Sequence, residues 1–196
     1  MATGRPEKPR VRLFVALDLP QPARDKIAEW GERELSDPAL RPTPRESLHV
    51  TLAFLGSRPE REVESLAEIV AGIEAPAPEI QLGDPVARPA SGSARLFALP
   101  ADSPSAVALQ GELAGKLVAK RLYKAEKRPF WPHVTVARVT GTRRRGRVDR
   151  QPGGLSWGLL SPIRCVRLTL YRSELQPLGA RYAPLAQVKL SDDGRQ

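Results

Sequence analysis

The sequence predicts one domain of mixed strands and helices, built as two pseudo-equivalent lobes. Three observations carry that expectation. Strand-like and helix-like apolar segments alternate along the chain, punctuated by Pro and Gly. RLFVAL at Arg12 returns as RLFAL at Arg95, and LHVTLAFL at Leu48 returns as PHVTVARV at Pro132. The two matches keep the same order, at offsets of 83 and 84 residues. A single apolar match means little between buried strands, but two at one spacing mark an internal repeat. Related halves commonly pack about an approximate two-fold axis, which is expected to set the two His-Val-Thr strands face to face across a cleft. A chain of 196 residues suffices for such a domain and its core without disulfides.

Each element has its own signal. Residues 12–18 read as a buried strand stopped by Pro20. Residues 21–35 carry Ala23, Ile27 and Trp30 at helical spacing, with Pro22 where a first turn tolerates it. The stretch PALRPTPRE is expected to be a loop. Residues 48–55 alternate: Leu48, Val50, Leu52 and Phe54 on one face, His49, Thr51, Ala53 and Leu55 on the other, with Gly56 as the expected end. Residues 60–73 form a helix striped by Val63, Leu66, Val70 and Ile73. Residues 80–88 read as a strand kinked at Gly83 and Pro85. The second lobe opens with a strand over 95–99. Ser103 and Pro104 then supply an N-cap and a first-turn proline for a helix reaching about Tyr123. Its apolar side is Leu109, Leu113 and Leu117, and Gly111 and Gly115 weaken it. Residues 133–140 form a strand and 141–154 a polar loop. Residues 163–171 and 181–190 read as closing strands, a hairpin about Pro177 and Gly179. The domain is expected to span 11–190, with 1–10 and 191–196 as flexible tails.

The formal charge is +9, from 31 Lys and Arg against 22 Asp and Glu. All of the excess falls within 120–150, where 11 basic residues meet only Glu126 and Asp149. Such a local surplus points to an anionic partner or substrate. Arg143, Arg144, Arg145 and Arg147 read either as a solvated loop or as a funnel for a polyanion. The lone Cys165 excludes a disulfide framework and a Cys-cluster zinc site, and its apolar neighbours mark a buried structural thiol. No apolar run approaches the roughly 20 residues of a membrane helix. The N-terminus is polar, unlike a signal peptide, so a cytoplasmic setting is expected. No Gly-rich phosphate loop is present, and no cofactor is expected.

Both histidines of the chain, His49 and His133, occur as His-Val-Thr within a strand. Residues two apart share a strand face, so each strand presents an imidazole with a hydroxyl while Val50 and Val134 turn inward. Two imidazoles facing one site suit phosphoryl chemistry without a metal: one serves as base to attacking water, the other as acid to the departing oxygen. Thr51 and Thr135 offer hydrogen bonds to the non-bridging phosphate oxygens, and Arg138 or Arg128 a cation. Two histidines fall short of the three or four protein ligands usual for zinc, although Asp or Glu could complete a site. Phe130 and Trp131 read either as a stacking platform for a base or as core.

The segments RLFVALDLP, SLHVTLAFLG and RPFWPHVTVARV together resemble the 2H phosphoesterase superfamily, above all its RNA 2′,3′-cyclic phosphodiesterases, also called 2′-5′ RNA ligases. The resemblance runs over residues 11–190. It implies an α+β, bilobal, pseudo-two-fold fold, each lobe an antiparallel sheet with flanking helices about a central cleft. It implies metal-independent hydrolysis of an RNA or nucleoside 2′,3′-cyclic phosphate to a 2′-phosphate. His49 matches the proton donor to the leaving 3′ oxygen and His133 the acceptor from water. Thr51 and Thr135 match the phosphate-binding threonines, and Arg138 the arginine that follows the second motif. Trp131 sits where the family varies, and the arginine-rich loop is particular to this chain. A monomer acting on an RNA end or a cyclic nucleotide is expected. Reversible 2′-5′ RNA ligation, another small cyclic nucleotide as substrate, and a non-catalytic basic RNA-binding module are the alternatives.

Overall fold

The structure is a computed structural model that describes residues 9–90, 93–140, 152–154, 162–176 and 179–192. Strand β1 (Arg10–Asp18) buries Val11, Leu13, Val15 and Leu17 on one face. Helix α1 (Gln21–Glu34) follows, burying Ala23, Ile27, Trp30 and Gly31. Strand β2 (Leu40–Pro42) and a 3-10 turn at Arg45–Ser47 lead into β3 (His49–Pro59). A second 3-10 turn, Glu60–Glu62, opens α2 (Val63–Ala71). Then come β4 (Glu79–Leu82), β5 (Val86–Arg88) and β6 (Leu96–Asp102). Helix α3 (Pro104–Ala119) begins at Ser103, whose hydroxyl accepts the Ala106 N–H at 3.1 Å. Ala106, Leu109, Leu113 and Leu117 form its buried side. Strands β7 (His133–Val139), β8 (Ile163–Arg164), β9 (Arg167–Gln176) and β10 (Gly179–Lys189) complete the described chain.

The strand order is β10-β9-β1-β3-β7-β6-β4-β8, with β2 added on β7 and β5 on β6. All these pairings are antiparallel. The two lobes meet between β3 and β7, through the single ladder pair Val50↔Val134. One cluster of buried apolar residues joins the inner faces of both lobes and all three helices. The fold is therefore α+β and bilobal, as the repeat and the resemblance imply. Among the described residues, no helix is long and apolar enough to cross a membrane.

Several elements differ from expectation for local reasons. β3 does not stop at Gly56, because that glycine takes φ 70° and keeps its pairing with Leu13. The expected loop PALRPTPRE contains β2, which pairs with Ala137, Arg138 and Val139 along the far half of β7. Residues 80–88 divide into β4 and β5, each on β6. The helix ends at Ala119, where Arg121 at φ 58° turns the chain back. The first closing strand splits into β8 and β9, while β9 and β10 form the expected hairpin. Of the polar loop at 141–154, only 152–154 are described; Arg143, Arg144, Arg145 and Arg147 lie outside the described residues.

The alternation along β3 and β7 also breaks, and the break positions the site. Thr51 pairs with Ala16 but Ala53 with Val15, so Leu52 is an extra, bulged residue; Leu55 is a second. Thr135 pairs with Ala98 but Ala137 with Phe97, so Val136 is bulged in β7. An offset of 84 carries His49, Thr51, Leu52 and Phe54 onto His133, Thr135, Val136 and Arg138. The bulges are thus pseudo-symmetric. Each sends the next residue, Ala53 or Ala137, into the core, and turns Phe54 or Arg138 to the face of the histidine and threonine. The two RLF segments are out of phase for a related reason. β6 lacks the residue equivalent to Val15, so Phe97 lies in the core while Phe14 lies on the histidine face.

Candidate active site

The His-Val-Thr strands are neighbours in one sheet and not facing walls. The approximate two-fold passes through Val50↔Val134, which point into the core, and the histidine–threonine pairs flank that junction on the opposite face. His49 and Thr51 come from β3 and His133 and Thr135 from β7; all four are half-buried. The structure thus brings together the four residues singled out from the repeat.

Both imidazoles are held alike. His49 Nδ1 lies 2.7 Å from the carbonyl oxygen of Ser47, and His133 Nδ1 lies 2.8 Å from that of Trp131. A carbonyl oxygen only accepts, so each Nδ1 carries the proton. In the neutral ring Nε2 is then the free base. The Thr51 hydroxyl donates to His49 Nε2 at 3.0 Å in that state. The direction of this bond reverses when the ring is protonated.

The surroundings differ. His49 stacks on Phe14, with centroids 4.9 Å apart, and meets the edge of Tyr182 at 5.5 Å. Tyr171 stacks on the Phe14 ring at 5.2 Å. Asp18, across the ladder from His49, anchors this wall: Tyr171 Oη donates to Oδ1 and Thr169 Oγ1 to Oδ2, each at 2.8 Å. Burial chiefly drives the His49 pKa from 6.5 to about 4. The Ser47 carbonyl opposes that drop, and the charges of His133 and Arg138 add to it. His133 instead stacks on Trp131 at 4.3 Å, with Arg88 over the same indole at 4.1 Å. Its pKa is also lowered, mainly by burial; the Trp131 carbonyl resists and Arg88 and Arg138 contribute. Both rings are consequently neutral bases at pH 7 in the unliganded site. A bound anion would offset the arginine charge and burial and restore an imidazolium.

The remaining residues are placed unevenly. Arg138 is exposed, and its charge reaches both histidines. Arg128 is exposed in the segment before β7, and Phe130 is half-buried against the core. Cys165 is fully buried, and burial pushes its thiol up to about 12, as befits a structural residue. Among the described residues, no group of three or more His, Cys, Asp or Glu is gathered for a metal ion. Asp18, Phe14, Tyr171, Tyr182 and Arg88 escaped the sequence reading. Asp18 alone left a signal there, as a carboxylate closing the apolar run RLFVALD.

Known proteins resemble this chain in sequence and in fold. The family model for the 2′-5′ RNA ligase superfamily matches residues 19–149. An RNA 2′,3′-cyclic phosphodiesterase of Thermus thermophilus is 32% identical over 195 residues, covering 95% of this chain and 94% of that protein. The crystal structure of Escherichia coli LigT in apo form superposes with a TM-score of 0.73 at 28% identity, covering 94% of this chain and 99% of that one. The same protein complexed with 3′-AMP matches with a TM-score of 0.73 at 28% identity, over 93% of this chain and 99% of that one. Because the matched stretch contains both histidine strands and the bulges that follow them, the chain belongs to the 2′-5′ RNA ligase superfamily.

Proposed function

We propose that this chain is an RNA 2′,3′-cyclic phosphodiesterase that opens a cyclic phosphate on an RNA end or a nucleoside to a 2′-phosphate. One observation carries the reading. Two imidazoles, related by the pseudo-two-fold, each have Nδ1–H tied to a carbonyl and Nε2 left as the reactive nitrogen. The names of the relatives and the 3′-AMP complex of a structural neighbour support the substrate class.

In the reaction, His133 Nε2 takes a proton from water as its oxygen attacks phosphorus. His49 Nε2–H gives a proton to the departing 3′ oxygen, so the P–O3′ bond breaks and the 2′-phosphate remains. Each proton transfer of this kind contributes about 10²- to 10⁴-fold. Once the substrate anion offsets the burial that depresses His49, the ring holds the proton that it delivers. Thr51 and Thr135 donate to the non-bridging oxygens, and Arg138 balances the charge that gathers there. Arg128 and Phe130 bind beyond the phosphate. The enzyme works as a cytoplasmic monomer and needs no metal.

The test is product analysis on an oligonucleotide ending in a 2′,3′-cyclic phosphate. A 2′-phosphate product is expected, with turnover that survives EDTA and is abolished in both His49→Ala and His133→Ala. A 3′-phosphate product, or near wild-type turnover in either variant, refutes the assignment.

A further inference from the structure

Trp131 stands in an unusual position for a loop aromatic. Its indole lies nearly parallel to the His133 imidazole, at 15° and 4.3 Å. The Arg88 guanidinium carbon lies 4.1 Å from the same ring centre. The indole thus contacts both side chains at once, and the imidazole and the guanidinium engage its stacking surface. Its own carbonyl meanwhile accepts the His133 Nδ1–H at 2.8 Å.

We infer that Trp131, held by Arg88, is a positioning residue that holds the His133 ring as proton acceptor and does not stack a base. The carbonyl fixes which nitrogen carries the proton, and the indole fixes the plane of the ring. Those two restraints together aim Nε2. Arg88 adds a cation–π contact that holds the indole against the imidazole. Its positive charge also disfavours the imidazolium. The charged or titratable groups that bear on His133 are Arg88 from β5, Arg138 from its own strand, and His49 from β3. His49 is aligned by the same logic with a different part: Phe14 from the neighbouring strand replaces the indole, at 4.9 Å and 27°.

The catalytic part of this inference rests on the proposed hydrolysis, so the test has two arms. In the kinetic arm, Trp131→Ala lowers kcat on a 2′,3′-cyclic mononucleotide at least about tenfold with KM little changed, a fraction of what a general base is worth. Trp131→Phe, which keeps an aromatic plane, restores most of kcat. Arg88→Gln moves the acidic limb of kcat/KM to higher pH, because one charge that disfavours the imidazolium is gone. In the second arm, the two histidines are titrated by NMR without substrate. Arg88→Gln raises the His133 pKa and leaves that of His49 in place. A rise in KM with kcat intact that disappears on an abasic cyclic phosphate would overturn the inference in favour of base stacking. An Arg88→Gln variant whose His133 titrates as in wild type overturns it as well. Wild-type protein inert on every cyclic phosphate, but with the His133 shift present, would refute the hydrolysis and uphold the positioning.

Discussion

Burial of His49 ties the stability of the fold to pH over a defined window. The perturbation is acidification from pH 7.5 to pH 4, applied to the wild type and to His49→Gln. The native imidazole titrates at about 4 and the unfolded one at about 6.5. Above 6.5 both states are neutral and the coupling contributes nothing. Between 6.5 and 4 the unfolded chain binds a proton that the native site refuses. Stability is therefore lost as pH falls through that interval, and the loss levels off below it. At about 1.4 kcal/mol per unit, the full span costs about 3 kcal/mol. His133 and the carboxylates add their own pH dependence in both proteins, so the difference between them isolates His49. Urea unfolding at half-unit steps reads it: the wild type should lose about 3 kcal/mol more than the variant, with unchanged slopes on urea. Parallel losses in the two proteins would show that His49 is solvated in the native state. The account of its reactivity would then fail too, because the same burial underlies both.

Further outcomes follow from the packing. Asp18→Ala leaves the fully buried Thr169 hydroxyl and the half-buried Tyr171 hydroxyl without their 2.8 Å acceptors. Losing two bonds to a charged acceptor should lower stability by about 3 kcal/mol, measured by urea unfolding. Tyr171→Phe should cost less, and the double variant should fall short of the sum. The Tyr171 phenol, held high first by burial and then by Asp18, should titrate lower in Asp18→Ala by ultraviolet absorbance. Gly111 and Gly115 sit inside α3, exposed, with nothing within 4 Å of an added Cβ. Gly111→Ala and Gly115→Ala should each raise stability by about 1 kcal/mol, read as a higher Tm.

The histidine–threonine parts of the site are legible in the sequence because they repeat, and Arg138 because the resemblance marks it. His49 with Thr51 and His133 with Thr135 appear as the same three letters at one offset, and strand alternation places each pair on one face. The supporting residues do not repeat. Phe14 and Trp131 do the same job from a neighbouring strand and from the residue two before the histidine, so no letter pattern relates them. Asp18 faces His49 only through the β1–β3 register, and Tyr171 reaches Asp18 across more than 150 residues of chain. Arg88 comes to Trp131 through the pairing of β5 with β6. Register of this kind depends on where bulges fall, and bulged residues such as Leu52 and Val136 look like any other apolar strand residue.

The bulges also explain how one repeated strand serves two purposes. Simple alternation would bury Phe54 and Arg138 among the core residues and put Ala53 and Ala137 in the site. A buried, unpaired arginine at 138 would cost several kcal/mol. With one extra residue after each threonine, the small alanine fills the core and the large side chain swings to the polar face. Duplication carries the bulge along with the histidine, so each lobe acquires a third position beside its His and Thr. The first lobe fills it with an aromatic ring and the second with a cation whose charge reaches both imidazoles. Among the described residues of the basic stretch 120–150, Arg138 is thereby placed where its charge acts on both members of a near-symmetric pair of histidines.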